Sequence, residues 1–448
     1  MAERRRFMAR SNRVAVVGLN FAPETTGIAP YTTGFARHLA LGGMQVTAVT
    51  GHPHYPEWAV HPGYEDARAP EVDEGVEVVR VQHPVPGNPT GLARIWMEIV
   101  FSVRAGLRLL RLRPSAVVVV SPALLSIVPA VVLAFFLRFR VGVIVQDLYG
   151  AALAETGLAG GRLARATARL ERALLRQVHS VAVIHDVFRA SLVAQGIPTN
   201  RITVMPNWTH VTMPSTTDRE AVRRNLGWGP DEVIALHAGN MGVKQGLEGL
   251  IDVARLATER GSAVRVVLLG TGSQAAHLAT YAEGVGRVTF MQPLPNGMFE
   301  AALAAADCLL LHEKPGVLEM SVPSKLTTYF AAGRPVVAAT DARSGAAALV
   351  TASKAGKRVA SGDPGALLDA VEWLVSEPRR AAVMGGNGRR YAAEHLTEFS
   401  AMERHQAWVL DLAGEAIAAR ISPNEVMDTC HLGDQAPRLD AVTRQVAR

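Results

Sequence analysis

Residues 233–246 read VIALHAGNMGVKQG. An apolar run, Val233–His237, breaks at Gly239, and Gly242, Lys244 and Gly246 follow before a helical pattern begins. Residues 13–31 read RVAVVGLNFAPETTGIAPY and have the same plan: a run Arg13–Gly18, a loop with Gly27, then a helical pattern over Tyr31–Leu41. Each half of the chain therefore starts afresh with strand, glycine loop and helix. Strands that are apolar throughout, alternating with helices, indicate parallel sheets covered on both faces.

Working outward, the first half predicts strands at Gln45–Thr50, Val76–Val81, Ala116–Val120, Gly142–Gln146, Val181–Ile184 and Ile202–Met205. The second half predicts them at Val264–Leu269, Arg287–Phe290, Cys308–Leu311, Pro335–Ala338 and Lys357–Ala360. The expected fold class is α/β, with two doubly wound, Rossmann-like domains facing each other across a cleft. Pro206, Asn207, Pro214 and Ser215 mark the boundary. The division is a tail over 1–12, domains over 13–208 and 209–396, a helix over 397–420 and a flexible tail over 421–448.

The chain has 448 residues, 49% of them hydrophobic and 19% charged. That excludes a disordered chain, which lacks apolar surface to offset its ordering entropy. Its 2 cysteines, Cys308 and Cys430, exclude a disulfide scaffold and a four-cysteine zinc site and fit a reducing compartment. Residues 1–208 carry 22 Arg and no Lys against 14 Asp and Glu. A basic front half attracts an anionic partner: phosphate, nucleic acid or lipid. Aromatic residues are only 6% and no stacking module is evident, which argues against nucleic acid.

Two helices carry the basic charge. In Gly161–Gln177, Arg162, Arg165, Arg169, Arg172 and Arg176 fall within about an 80° arc at ~100° per residue. In Arg94–Arg113, Trp96, Ile99, Val100, Val103, Leu107 and Leu110 share one face beside Arg104, Arg108 and Arg111. Such helices suit an anionic membrane surface; ordinary amphipathic helices of a soluble domain have the same pattern. The uncharged stretch Ala116–Leu137 is long enough to span a bilayer, but Ser121, Pro122 and Pro129 interrupt it. It reads as a strand, a turn and a buried helix.

Four strand-to-helix turns carry phosphate-binding chemistry. They are the Gly27 loop, the Gly239–Gly246 loop with Lys244, the Gly270–Ser273 loop with Gly272, and Pro323-Ser324-Lys325. Glycines let backbone N–H groups approach an anion, lysines add point charge, and Ser324 is placed to cap the helix after it. The G-x-G-x-x-G fingerprint is missing, and so is a D-x-D pair for a divalent metal. The expectation is a metal-free diphosphate site with no cofactor.

These stretches, with VQDL at 145–148, MPNW at 205–208, PSKL at 323–326 and AAGRPV at 331–336, resemble family 4 glycosyltransferases of the two-domain GT-B type. The similarity is strongest to the WcaI-like branch, associated with colanic acid and other exopolysaccharides, and spans about residues 13–395. It implies retaining transfer of a sugar from a nucleotide sugar, UDP- or GDP-linked, to an acceptor. It implies a donor site on the C-terminal domain, an acceptor site on the N-terminal one and a last helix that crosses back. The acceptor is then a lipid-linked saccharide, and the protein is peripheral on the cytoplasmic face of the plasma membrane. One departure stands out: the positions of the family's paired glutamates hold Met320 and Thr328.

On this reading Lys244 and Lys325 neutralise the diphosphate. Gly27, Gly239, Gly242, Gly270, Gly272, Pro323 and Ser324 line it. Asp147 positions the acceptor or caps a helix. Glu319 meets the donor sugar or is a solvated loop carboxylate. His185 and Asp186 line the cleft or cap. A sugar-nucleotide 2-epimerase of the same fold and a non-catalytic subunit of a polysaccharide assembly complex stay open as alternatives.

Overall fold

A computed structural model describes residues 13–25, 27–65, 70–87, 91–148, 161–209, 211–295, 297–317 and 324–413. Among them, fourteen strands form two sheets. The first has β1 (Arg13–Gly18), β2 (Gln45–Thr50), β3 (Glu71–Asp73), β4 (Val76–Arg80), β5 (Ala116–Val120), β6 (Arg140–Val145), β7 (Ser180–Val183) and β8 (Ile202–Val204). Their order is β3-β4-β2-β1-β5-β6-β7-β8. The second has β9 (Val233–Ala238), β10 (Val264–Leu269), β11 (Val288–Met291), β12 (Cys308–His312), β13 (Val336–Ala339) and β14 (Gly356–Val359), in the order β11-β10-β9-β12-β13-β14. All pairings are parallel except β3 with β4. The α/β expectation holds, and each order reverses beside the first strand of its sheet, where a crevice opens at the strand ends.

The expected strands are all present, displaced by a residue or two at some ends. β3 was not expected. It is three residues long and two of them are charged, so it has no apolar run, and it turns into β4 through Glu74 and Gly75, both with positive φ (45° and 84°). Asp73 holds it to the rest of the domain through a two-pronged ion pair with Arg37.

Helix α1 (Ala29–Leu41) starts two residues earlier than the sequence suggested, because Pro30 suits a first turn. Helices α2 (Gly91–Leu112), α3 (Ile127–Leu137) and α4 (Gly161–Leu175) follow β4, β5 and β6. α2 and α3 touch at Gly106, where a Cβ would lie 2.8 Å from Pro129. Beneath them Met97, Phe101, Leu109, Ile127 and Leu175 are buried in one core.

The expected burial of α3 is wrong. Ile127 and Ala130 face the core, but Phe135 is 83% and Phe136 71% exposed, with Val128 and Val132 beside them. The helix has a second apolar face, which an uncharged sequence cannot distinguish from a buried one. No helix among the described residues is long and apolar enough to cross a membrane.

Helix α5 (Asp186–Ala194) completes the first half. In the second, α6 (Arg219–Asn225), α7 (Glu248–Glu259), α8 (Ala275–Tyr281), α9 (Met298–Ala305), α10 (Lys325–Ala332), α11 (Gly345–Ser353), α12 (Pro364–Ser376) and α13 (Pro378–His395) cover both sheet faces. Helix α14 (Glu398–Ala413) then returns to the first sheet. Trp408 donates from Nε1 to Ser180 Oγ at 2.8 Å, and a Cβ on Gly142 would lie 2.8 Å from Trp408 and Leu412. The strand thus needs glycine where the helix lies on it. The linker tryptophan Trp208 wedges between α1 and α14, against Tyr31, His38 and His405. Replacing Trp408 by Ala removes this seat; large-to-small substitutions of this kind destabilise by about 3–5 kcal/mol. Chemical denaturation of the Trp408→Ala variant should show a loss of that size, whereas an unchanged midpoint would mean α14 contributes nothing to the first domain.

Candidate active site

The site forms where β9 and β10 end. Gly239 has φ 127° and Gly270 φ 136°, outside the range that suits L side chains. A Cβ on Gly270 would lie 2.2 Å from the Gly239 carbonyl oxygen, and one on Gly272 would lie 2.5 Å from Met241 O. The two loops touch backbone to backbone. Met241 N donates to Thr271 O and Gln274 N to Met241 O, each at 2.9 Å. The Gln245 side chain accepts from Gly242 N at 3.0 Å, bending the chain so that Lys244 follows in a one-turn helix. Gly239, Gly242, Gly270 and Gly272 are therefore assembled in one place.

Lys325 opens α10 and reaches back over this assembly. A Cβ on Gly239 would lie 2.6 Å from Lys325 Cε, so the lysine passes over a bare backbone. Its Nζ lies 3.2 Å from His237 Nε2 and donates to Asn240 O at 3.3 Å. Burial and then the like charge of Lys244 push the Lys325 ammonium down to about 7, with Glu313 opposing. Two lysines held close enough to repel each other make a receptor for an anion. Tyr329, one turn along α10, anchors the helix by receiving Ala238 N at 2.8 Å.

Ser324 does not cap α10 with its side chain, contrary to the expectation. Thr327 folds back on to the Ser324 carbonyl instead, at 2.7 Å. The Ser324 and Thr327 hydroxyls act on the Tyr31 phenol of the first domain, which burial pushes up to about 12. Pro323 and Glu319 lie outside the described residues.

Across the cleft, Gly27 (φ 67°) lies under the Tyr55 ring, 3.0 Å from where its Cβ would be. The buried Glu24 carboxylate fixes this loop. It accepts from His54 N at 2.7 Å, Tyr55 N at 2.9 Å and Asn20 Nδ2 at 2.9 Å. Asp147 follows β6. Burial pushes its carboxyl up, while Lys244 from the second domain and Arg94 from the first pull it down. The structure thus brings Lys244, Lys325 and Asp147 into one electrostatic neighbourhood.

His185 is a helix cap: its Nδ1 accepts from Val187 N at 3.1 Å, and Asp186 pairs with Arg189. Both also line a cavity between the halves, with Asn207 on one side and Ser324 and Thr327 on the other, so the capping and cleft-lining readings hold together. Glu24, Tyr55, Arg94 and His237 escaped the sequence reading. A run of rings and prolines at residues 52–56, directly after β2, was the available signal for the first two. Among the described residues no group of three or more His, Cys, Asp or Glu is placed to hold a metal ion.

Comparison with known proteins agrees with this geometry. Residues 26–208 match the family described as "Glycosyl transferase 4-like domain", and residues 232–377 the family described as "Glycosyl transferases group 1". The putative colanic acid biosynthesis glycosyl transferase WcaI of Escherichia coli K12 is 29% identical over 343 residues, covering 74% of this chain and 84% of its own. Sucrose-phosphate synthase from Thermosynechococcus elongatus shares the fold with a TM-score of 0.72 at 18% identity, covering 90% of this chain and 100% of that one. Anabaena HepE, solved in complex with UDP-glucose, does so with a TM-score of 0.66 at 14% identity, covering 89% and 99%. Two transferase domains in this order, one over β2 to β8 and one over β9 to β14, show that the chain belongs to the GT-B glycosyltransferases, with a family 4-like first domain and a group 1 second domain.

Proposed function

We propose that this enzyme is a retaining glycosyltransferase. It moves a sugar from a UDP- or GDP-linked donor to a lipid-linked saccharide in exopolysaccharide or cell-envelope glycan biosynthesis. The observation that carries the reading is the lysine pair over the interlocked glycine loops. As the glycosidic bond to the donor breaks, negative charge grows on the leaving diphosphate. Lys244 and Lys325 meet that charge, and the backbone of Gly239, Gly242, Gly270 and Gly272 leaves room for it. Ser324 and the N-terminus of α10 add oriented dipoles. No protein nucleophile is assigned.

Asp147 and Tyr55, beside Gly27, line the opposite wall and are the groups that would orient the acceptor hydroxyl. The polysaccharide assignment is supported by the WcaI similarity, and the nucleotide donor by the UDP-glucose complex of HepE. Thr328, at the family's glutamate position, is buried, which removes the usual carboxylate contact to the donor.

The same reading puts the first domain on the cytoplasmic face of an anionic membrane. The outer face of α2 exposes Trp96, Val103 and Leu107, and α3 beside it exposes Phe135 and Phe136. Arg165 and Arg169 of α4, in the same domain, are exposed as well. An apolar strip flanked by arginines suits the headgroup boundary of a bilayer.

With a panel of nucleotide sugars and lipid extracts, Lys244→Ala should lower kcat/KM by roughly 10²–10³-fold, the scale of one lost transition-state donor. EDTA should leave wild-type turnover intact; loss in EDTA with recovery in manganese would contradict a site built on lysines. In sedimentation with phosphatidylglycerol vesicles, the protein should bind at low salt and release at high salt. The Phe135→Ser, Phe136→Ser double variant should stay in the supernatant while retaining UDP or GDP binding. Wild-type protein that fails to bind at low salt would remove the membrane from the account.

A further inference from the structure

A histidine lies beneath Lys325. His237, next to last in β9, is fully buried and faces Lys325 with Nε2 at 3.2 Å. Its Nδ1 lies 3.2 Å from the Leu310 carbonyl oxygen. In the tautomer with the proton on Nδ1 the ring donates to Leu310 O and presents the Nε2 lone pair to Nζ, while the Asn240 backbone, which also receives Nζ, is a second partner of the ring. Burial and the neighbouring Lys325 both hold His237 well below its ordinary titration range, so it stays neutral. A neutral acceptor steadies a half-buried ammonium without cancelling its charge, and Asn240 O is a second one.

We propose that His237 is a positioning residue for the donor phosphates: it holds Lys325 across Gly239, and capture of the nucleoside diphosphate is accompanied by uptake of one solvent proton at Nζ.

The charges around Nζ fit this. Lys244, on the adjoining loop, disfavours the ammonium, and Glu313 after β12 favours it. The Glu313 carboxylate is engaged by the Thr340 hydroxyl, and Thr340 in turn by Ser344. His312, at the end of β12, faces His237 and is itself pushed down by burial. Asp147 lies beyond Lys244. With no anion present, Lys325 titrates near 7. Above that pH it is mostly neutral, and an arriving diphosphate restores the ammonium. The proton forms a new N–H bond at Nζ and leaves again when the nucleotide departs. The sign follows: affinity falls as pH rises above 7, approaching about tenfold per pH unit while the bound form stays protonated. A lysine with an ordinary titration point would show no such fall below pH 9.

The proposal rests on the donor crevice described above and is tested on the full chain. UDP and GDP are titrated calorimetrically at pH 7, 8 and 9, in buffers of different ionisation heat. Wild-type protein should take up close to one proton at pH 8 and lose affinity across the series. His237→Leu cannot hold the ammonium, so Lys325 swings to solvent and stays charged. This variant should bind roughly tenfold more weakly at pH 7, the scale of one charged hydrogen bond, and lose both the proton uptake and the pH dependence. His237→Gln keeps a side-chain acceptor and should stay near wild type. Uptake of no proton by the wild type overturns the proposal. So does an unchanged pH profile in His237→Leu, or a profile lost equally in His237→Gln. Binding of neither nucleotide to the wild type would overturn the donor crevice itself, and this inference with it.

Discussion

The site depends on one close approach between two pieces of backbone. The loops that leave β9 and β10 meet where a single methyl group on Gly270 would lie 2.2 Å from the Gly239 carbonyl oxygen. Real atoms do not tolerate that distance, so the loops separate unless position 270 is glycine. Several features follow from the contact. Lys325 has a bare backbone to cross. Asn240 O is turned toward Nζ, and Lys244 is delivered by the turn that begins at Gly242. Polar backbone groups that would otherwise be orphaned are paired between the loops, which makes the arrangement rigid before any ligand arrives.

The second domain therefore presents charge, and the first presents shape. On the first domain a buried carboxylate, Glu24, gathers three donors and fixes the Tyr55 loop over Gly27. The two halves are joined by the linker and by α14. Asn207 exchanges side-chain amide bonds with Gln146, at 2.9 and 3.2 Å, tying the linker to the end of β6 just before Asp147. Trp208 packs under α14, in a seat where a Cβ on Gly34 would lie 2.5 Å from its ring. The same short linker thus braces the strand end that carries Asp147 and anchors the returning helix.

Much of this was legible in the chain. The apolar runs declared the strands because parallel strands covered on both faces have no polar alternation to blur them. The glycine loops were visible because glycine is the residue such loops need. What escaped has a physical reason in each case. β3 is an edge strand whose exposed, charged residues have no period. α3 is apolar on the face it buries and on the face it exposes, so pattern alone could not assign its surroundings. Ser324 sits where caps sit, yet its hydroxyl is turned toward Tyr31, a choice made by the opposite domain. His237 lay inside a strand run, where a lone histidine gives no sign of what it faces in space.

The most direct test is a crystal structure with UDP or GDP bound. The account predicts phosphate oxygens within hydrogen-bonding distance of Lys325 Nζ and Lys244 Nζ, seated over Gly239 and Gly270, with Asp147 facing them across the cleft. A nucleotide bound away from both lysines, or phosphates held through a divalent ion with the lysines turned away, would contradict it.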